Sequence, residues 1–229
     1  MPRLVVYTED SGKGGAVVVQ ALVERLLFHL AKIHEIPQVD TAQGQPAAAA
    51  HAFNWKERSA RGEAARRALV RDLVTRFSEG TFVVFHYDGD VPWSDAPTTS
   101  KHDVEVAALF EEVRRNIRTE AGSEPLPFVP HYSIEAWLYL HEKVVAKLVF
   151  DKKAAQATEP WMTANRRPET GFDHVFKPKD ACPLGDAFND ELARSYPVPR
   201  CMEQSPSLRR TVDAWAARAD LRALLGIAD

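Results

Sequence analysis

Four carboxylates stand in this chain where apolar runs give out. Glu9 follows Leu4 to Thr8 in the stretch Tyr-Thr-Glu-Asp-Ser-Gly-Lys-Gly-Gly, Asp88 and Asp90 follow Thr81 to Tyr87 in His-Tyr-Asp-Gly-Asp, and Glu135 lies in Ser-Ile-Glu-Ala-Trp. If the apolar runs are strands of a parallel sheet, the acids emerge together at its carboxyl edge, where such sheets build their sites. That much negative charge needs a cation. Hard carboxylate oxygens suit Mg2+ or Mn2+, and a site of Glu9, Asp88 and Asp90, with Glu135 as a further acid, can orient a phosphodiester and activate water. The expected chemistry is hydrolytic phosphoryl transfer.

Each acid also has a simpler reading. Asp-x-Asp is common in surface turns. An acid in the first turn of a helix, as Glu135 is expected to be, offsets the helix dipole without any metal. Ser11 to Gly15 opens a helix and can hold a phosphate through backbone N–H groups and Lys13. It lacks the P-loop spacing, however, and serves equally well as a flexible helix entry. Asp10, Asp95 and Asp103 are weaker additions. His86 precedes the acidic pair and suits either a group behind the ligands or a packed core histidine; His102, His131 and His174 are scattered. Trp137 and Trp215 read as packing residues.

These residues need a frame. Leu4 to Thr8 is apolar and β-branched and reads as the first strand. A helix should follow to about His34, then a short strand near Ile36 to Val39 and a flexible excursion from Thr41 to Ala50. Residues 60 to 79 carry helical spacing that Gly80 closes. Thr81 to Tyr87 has the continuous apolar character of a strand buried on both faces. If it persists through Asp88 and Asp90, their side chains share a face. After a loop from Val91 to Ser100, a helix is expected over 103 to 119, a weaker strand over Pro125 to Tyr132, and a helix over 134 to 150 with Ser133 as its N-cap. This alternation predicts an α/β fold with a parallel core sheet over residues 1–150. Residues 151–229 form a C-terminal helical extension. It has helices near 186 to 196 and 206 to 225, the latter capped by Ser205 with Pro206 in the first turn.

Composition narrows the function. The chain has 229 residues, 45% of them hydrophobic, and a formal net charge of -3, which excludes a globally basic nucleic-acid binder. Local charge differs: between 56 and 76 seven basic residues face three acids. Arg61, Arg66, Arg67 and Arg71 there, with Lys177 and Lys179 further on, can neutralise the backbone phosphates of DNA or RNA. A solvated helix face is the competing explanation. Two cysteines, Cys182 and Cys201, without metal-binding spacing suggest a reducing cytoplasm. No signal-peptide pattern opens the chain, and Ala16 to Ala31, interrupted by Gln20, Glu24, Arg25 and His29, reads as a buried helix and not a membrane span.

Glutamate after the first strand and Asp-x-Asp after the third resemble the topoisomerase/primase (Toprim) fold. Glu9-Asp10, Asp88 to Asp90, Glu135-Ala136-Trp137 and the Ser205 to Arg210 run Ser-Pro-Ser-Leu-Arg-Arg resemble more specifically a bacterial group of uncharacterised Toprim-like proteins. Toprim enzymes usually place glycine after the glutamate, where this chain has Asp10. The resemblance implies Mg2+-dependent cleavage of DNA or RNA, with Glu9 as ligand and acid/base group and Asp88 and Asp90 as ligands. It also implies a partner ATPase and a setting in phage defence. Two other readings stand beside it: a non-catalytic partner subunit or nucleic-acid-binding module with the same fold, and a phosphoacceptor receiver domain with Asp88 as the acceptor.

Overall fold

Strand β1 (Leu4–Thr8) is buried along its whole length, as its unbroken apolar run requires. Its alternate side chains divide between two cores: Leu4 and Val6 enter one, Val5 and Tyr7 the other. The computed structural model describes residues 4–9, 13–31, 39–41, 59–89, 102–117, 124–130, 134–140 and 186–227. Within them the order continues with α1 (Lys13–Ala31), β2 (Val39–Thr41), α2 (Ala60–Ser78), β3 (Phe82–His86), α3 (Asp103–Asn116), β4 (Leu126–Phe128) and α4 (Ile134–Leu138). The chain then forms α5 (Asp186–Arg194), α6 (Val198–Met202), α7 (Pro206–Ala216) and α8 (Ala219–Leu224).

Among the described residues all strand pairs are parallel, in the order β2-β1-β3-β4. The protein is therefore an α/β fold with a parallel sheet flanked by helices. On one face, Val5, Tyr7, Val83, Phe85 and Tyr87 meet Leu69, Leu73 and Phe77 of α2 and Leu109, Phe110 and Val113 of α3. On the other, Leu4, Val6, Val84, Leu126 and Phe128 meet α1, α4 and the helices α5 to α8. Helix α1 is long and apolar enough over Gly14–Ala31 to cross a membrane by length and composition. Here, however, Val19, Leu22, Val23, Leu26 and Leu27 are buried between sheet and C-terminal helices, as in the core helix of a globular protein.

Local chemistry sets the helix ends. Ser59 Oγ accepts the Gly62 N–H at 3.1 Å and starts α2. Gly80, at φ 69°, stops it: its N–H reaches Phe77 O at 3.0 Å and the Thr81 N–H reaches Arg76 O at 2.9 Å, the paired bonds of a Schellman ending. Ser205 Oγ accepts the Leu208 N–H at 3.1 Å with Pro206 in the first turn of α7, as expected.

Several boundaries differ from expectation. The second strand lies at Val39–Thr41, because Val39 to Thr41 pair with Leu4 to Val6; Thr41 is thus strand and not the start of an excursion. The third strand ends at His86, so Asp88 lies past it. The helix expected over 134 to 150 turns at Tyr139 and Leu140, where the Leu140 N–H bonds Trp137 O at 3.1 Å. The helix expected over 206 to 225 breaks at Ala217 and Arg218. There the Arg218 guanidinium is engaged by Asp220 at 2.6 Å and by Glu124 O at 3.1 Å. Helix α6, with its proline in the first turn, was not expected. The excursion after Thr41, the loop 91–100, residues 141–150 and the stretch 151–185 lie outside the described residues, as do Asp10, Asp95, His131, Ser133, His174 and Cys182.

Candidate functional site

Strand order fixes where a site can form. From β1 the chain goes to one side, to β2, and from β3 to the other, to β4, so β1 and β3 flank the point where the order reverses. Ligands of open α/β sheets bind in the crevice outside the carboxyl ends at this point. β1 delivers Thr8 and Glu9 there; β3 delivers His86, Tyr87 and Asp88. Thr8 and His86 are register partners on the last rung of the ladder.

Past this rung the acids hold each other's segments. The Asp88 backbone N–H donates to Glu9 Oε1, and Asp88 Oδ1 accepts the N–H of Ile134, the first residue of α4, at 3.0 Å. That N–H is one of the orphan donors of a helix start, and a carboxylate is a favourable partner for it. The Gly89 N–H donates to Pro130 O at 3.0 Å, which carries the β3–β4 register beyond the assigned strands and keeps Asp88 aligned with the sheet edge. Asp88 retains 23% side-chain exposure while His86 has none. His86 Nδ1 lies 2.8 Å from Thr8 Oγ1 and its Nε2 lies 3.6 Å from Asp88 Oδ1.

A second acid approaches from the other layer. The Tyr87 O–H donates to Asp103 Oδ1, in the first turn of α3, at 2.7 Å. Burial, then the bond to Asp103, then the charge of Glu9 push the Tyr87 phenol far above its ordinary range, so Tyr87 keeps its proton and remains a donor. Glu9 thus contributes to a field at the edge that opposes further negative charge.

Of the expected site residues, the structure brings together Glu9 and Asp88. Glu135 is buried in α4, one residue beyond the N–H that Asp88 holds. Among the described residues no three of His, Cys, Asp and Glu form a group fit to hold a metal ion, so Glu9, Asp88 and Glu135 do not by themselves make a ligand set. Asp90 and the side chain of Lys13, which begins α1, lie outside the described residues.

The basic helix α2 is partly committed elsewhere. Arg66 Nε binds Glu112 of α3 at 2.8 Å, Arg67 lies 3.7 Å from Glu63, and Arg76 lies 3.6 Å from Asp72, which also accepts the Tyr7 O–H at 2.5 Å. Arg61 and Arg71 are exposed. Lys177 and Lys179 lie outside the described residues.

Sequence reasoning missed Thr8 and Tyr87 and gave Asp103 little weight. Thr8 adjoins Glu9, but its partnership with His86 is a matter of cross-strand register, which no local pattern reveals. Trp137 and Trp215 are packing residues as expected, each with its indole N–H satisfied: Trp137 donates to Ser207 Oγ at 2.8 Å and Trp215 to Pro127 O at 2.7 Å. Comparison with models of protein families, with curated proteins and with solved structures finds no significant match to this chain.

Proposed function

We propose that the protein is a metal-dependent nuclease that hydrolyses phosphodiester bonds of DNA or RNA at the carboxyl edge between β1 and β3. The observation that carries this reading is the meeting of Glu9 and Asp88 at the reversal of strand order, tied by the Asp88 N–H. The donor set fits a hard cation in kind: two carboxylates from adjacent strands, one of them partly exposed. Glu9 and Asp88 would hold Mg2+ or Mn2+, with Asp90 as the further ligand. When bound, the cation supplies Lewis-acid polarisation of the phosphate and a more acidic water.

The chain's own residues do the rest. The bonds from Asp88 N–H to Glu9 and from Ile134 N–H to Asp88 fix both carboxylates before substrate arrives. His86, buried beneath them, faces Asp88 Oδ1 through Nε2 at 3.6 Å. Arg61 and Arg71 on α2 are suited to the phosphate backbone, with a Toprim-like core, a cytoplasmic setting, a partner ATPase and a defence role as parts of the same proposal.

The test is cleavage of supercoiled plasmid, linear duplex, single-stranded DNA and RNA with Mg2+ or Mn2+. Asp88→Ala and Glu9→Gln are expected to reduce cleavage to background while the protein stays folded. Equal cleavage by either variant sinks the proposal.

A second reading has its own support. Asp88 Oδ1 is engaged in holding α4, so the acids also suit a structural clasp in a non-catalytic partner subunit. On that reading the natural protein cleaves nothing, and both substitutions alter stability alone.

A further inference from the structure

Among the described residues β4 ends the sheet, with β3 on one side of it. Along a strand, successive residues turn their N–H and C=O to opposite edges, so only alternate residues of β4 can bond β3. Pro127 lies opposite Phe85 and has no N–H, so the ladder to β3 falls to Leu126 and Phe128 on either side of it. The Gly89 N–H, bonded to Pro130 O at 3.0 Å, fits the same alternation two places beyond Phe128. Pro127 therefore turns its carbonyl to the outer edge.

This edge reaches solvent: Pro127 is exposed, whereas Phe85 beside it on the same face of the sheet is buried. A solvent-facing edge with open N–H and C=O groups is a template for another strand. Two features remove the template here. Pro127 offers no donor, and neither does Pro125 just before the strand. The outward Pro127 carbonyl accepts the Trp215 indole N–H at 2.7 Å. Trp215 is fully buried near the end of α7, with its ring 6.0 Å from that of Phe128. The indole stands where the N–H of an added strand would have to come. A phenylalanine could fill the same apolar space; only the N–H fills the carbonyl.

We propose that Pro127 and Trp215 close the outer edge of β4 against strand addition by a second copy of this chain, with α7 as the strap that holds the closure in place. The C-terminal helices then do more than cover a sheet face, because they also end the sheet at β4.

Hydrogen exchange and gel filtration of the full-length protein test this. In the natural protein the Trp215 indole N–H, assigned through its contact with the Phe128 ring, is expected to exchange at least about tenfold more slowly than an exposed indole. Exchange at the exposed rate overturns the closure. In Pro127→Val the new backbone N–H at 127 points away from β3 and is expected to exchange at least about tenfold faster than those of Leu126 and Phe128. Equal protection of all three contradicts the assigned direction. Pro127→Val combined with Trp215→Phe is expected to shift elution toward larger species as concentration rises and to raise thioflavin T fluorescence. Ser207→Ala, which loosens α7 without opening the edge, is expected to elute as the natural protein does. A folded double variant with unchanged elution, or the same shift in Ser207→Ala, sinks the proposal. Should the double variant not fold, the two exchange measurements decide. None of these readouts depends on cleavage, so failure of the nuclease proposal is seen separately.

Discussion

At Asp88, main chain and side chain hold different partners: the N–H is given to Glu9 and the carboxylate accepts from Ile134. Removing the carboxylate leaves a buried helix-start N–H without this acceptor. Asp88→Ala is therefore expected to lower stability by about 1–3 kcal/mol, measured by urea unfolding. Glu9→Gln keeps an acceptor for the Asp88 N–H and is expected to cost less than about 1 kcal/mol. A second residue-scale prediction concerns alkali. The phenols of Tyr7 and Tyr87 are raised above their ordinary value near 10, chiefly by burial and then by Asp72 and Asp103 respectively. For such groups the stabilisation is complete below the unfolded value. It is lost as pH rises past about 10, because the unfolded chain releases these protons first. Unfolding midpoints should fall above about pH 10, and less steeply in Tyr87→Phe; an identical slope in that variant contradicts the assignment. The acids were legible in sequence because each ends an apolar run. Their partners were not, because Thr8 meets His86, and Tyr87 meets Asp103, only through register and layer packing.

Element ends show where local chemistry suffices. Gly80 was readable as the stop of α2, and its left-handed backbone explains why: a Cβ there meets nothing within 4 Å, so the penalty of substitution is conformational and not steric crowding. Gly80→Ala is expected to cost about 1 kcal/mol. The cap at Ser205 was equally readable, whereas the break after Ala216 was not, since it depends on Arg218 reaching the distant Glu124 carbonyl. Helix α4 is the contrary case to both. All of Ile134 to Leu140 is buried, so no amphipathic period marks its end. It is held from outside: the Trp137 N–H by Ser207, the Trp137 carbonyl by the Tyr196 hydroxyl at 2.8 Å, and the first N–H by Asp88. Ser207→Ala leaves the buried indole N–H without that acceptor. A loss of about 1–3 kcal/mol is expected, read as a lower thermal midpoint.

At the scale of the whole molecule the two sheet faces are closed differently. The alternation of β1 and β3 was legible because strands buried on both faces leave continuous apolar runs, and α2 and α3 cover one face close to these strands in sequence. Among the described residues the other face is covered by α1 and α4 together with helices that come after residue 185, and nothing local in Phe188, Leu192 or Tyr196 announces that they join one cluster with Leu22 and Leu26. One apolar cluster thus runs from Leu4 through Trp137 to Trp215 and Leu221. Removing residues 186–229 uncovers α1, takes the acceptor from the Trp137 indole and removes Trp215 from Phe128. Each fully buried side chain lost, Tyr196, Leu208 and Trp215 among them, withdraws roughly 1.5–3 kcal/mol of burial. A few such losses exceed the roughly 5–15 kcal/mol by which a domain is stable. The shortened chain is therefore expected to lose cooperative thermal unfolding and to aggregate, as seen by circular dichroism and gel filtration. A monodisperse fragment that melts cooperatively near the full-length midpoint contradicts this. It would mean that α1 and the sheet hold the site without the C-terminal helices, and that Asp88 keeps α4 in place alone.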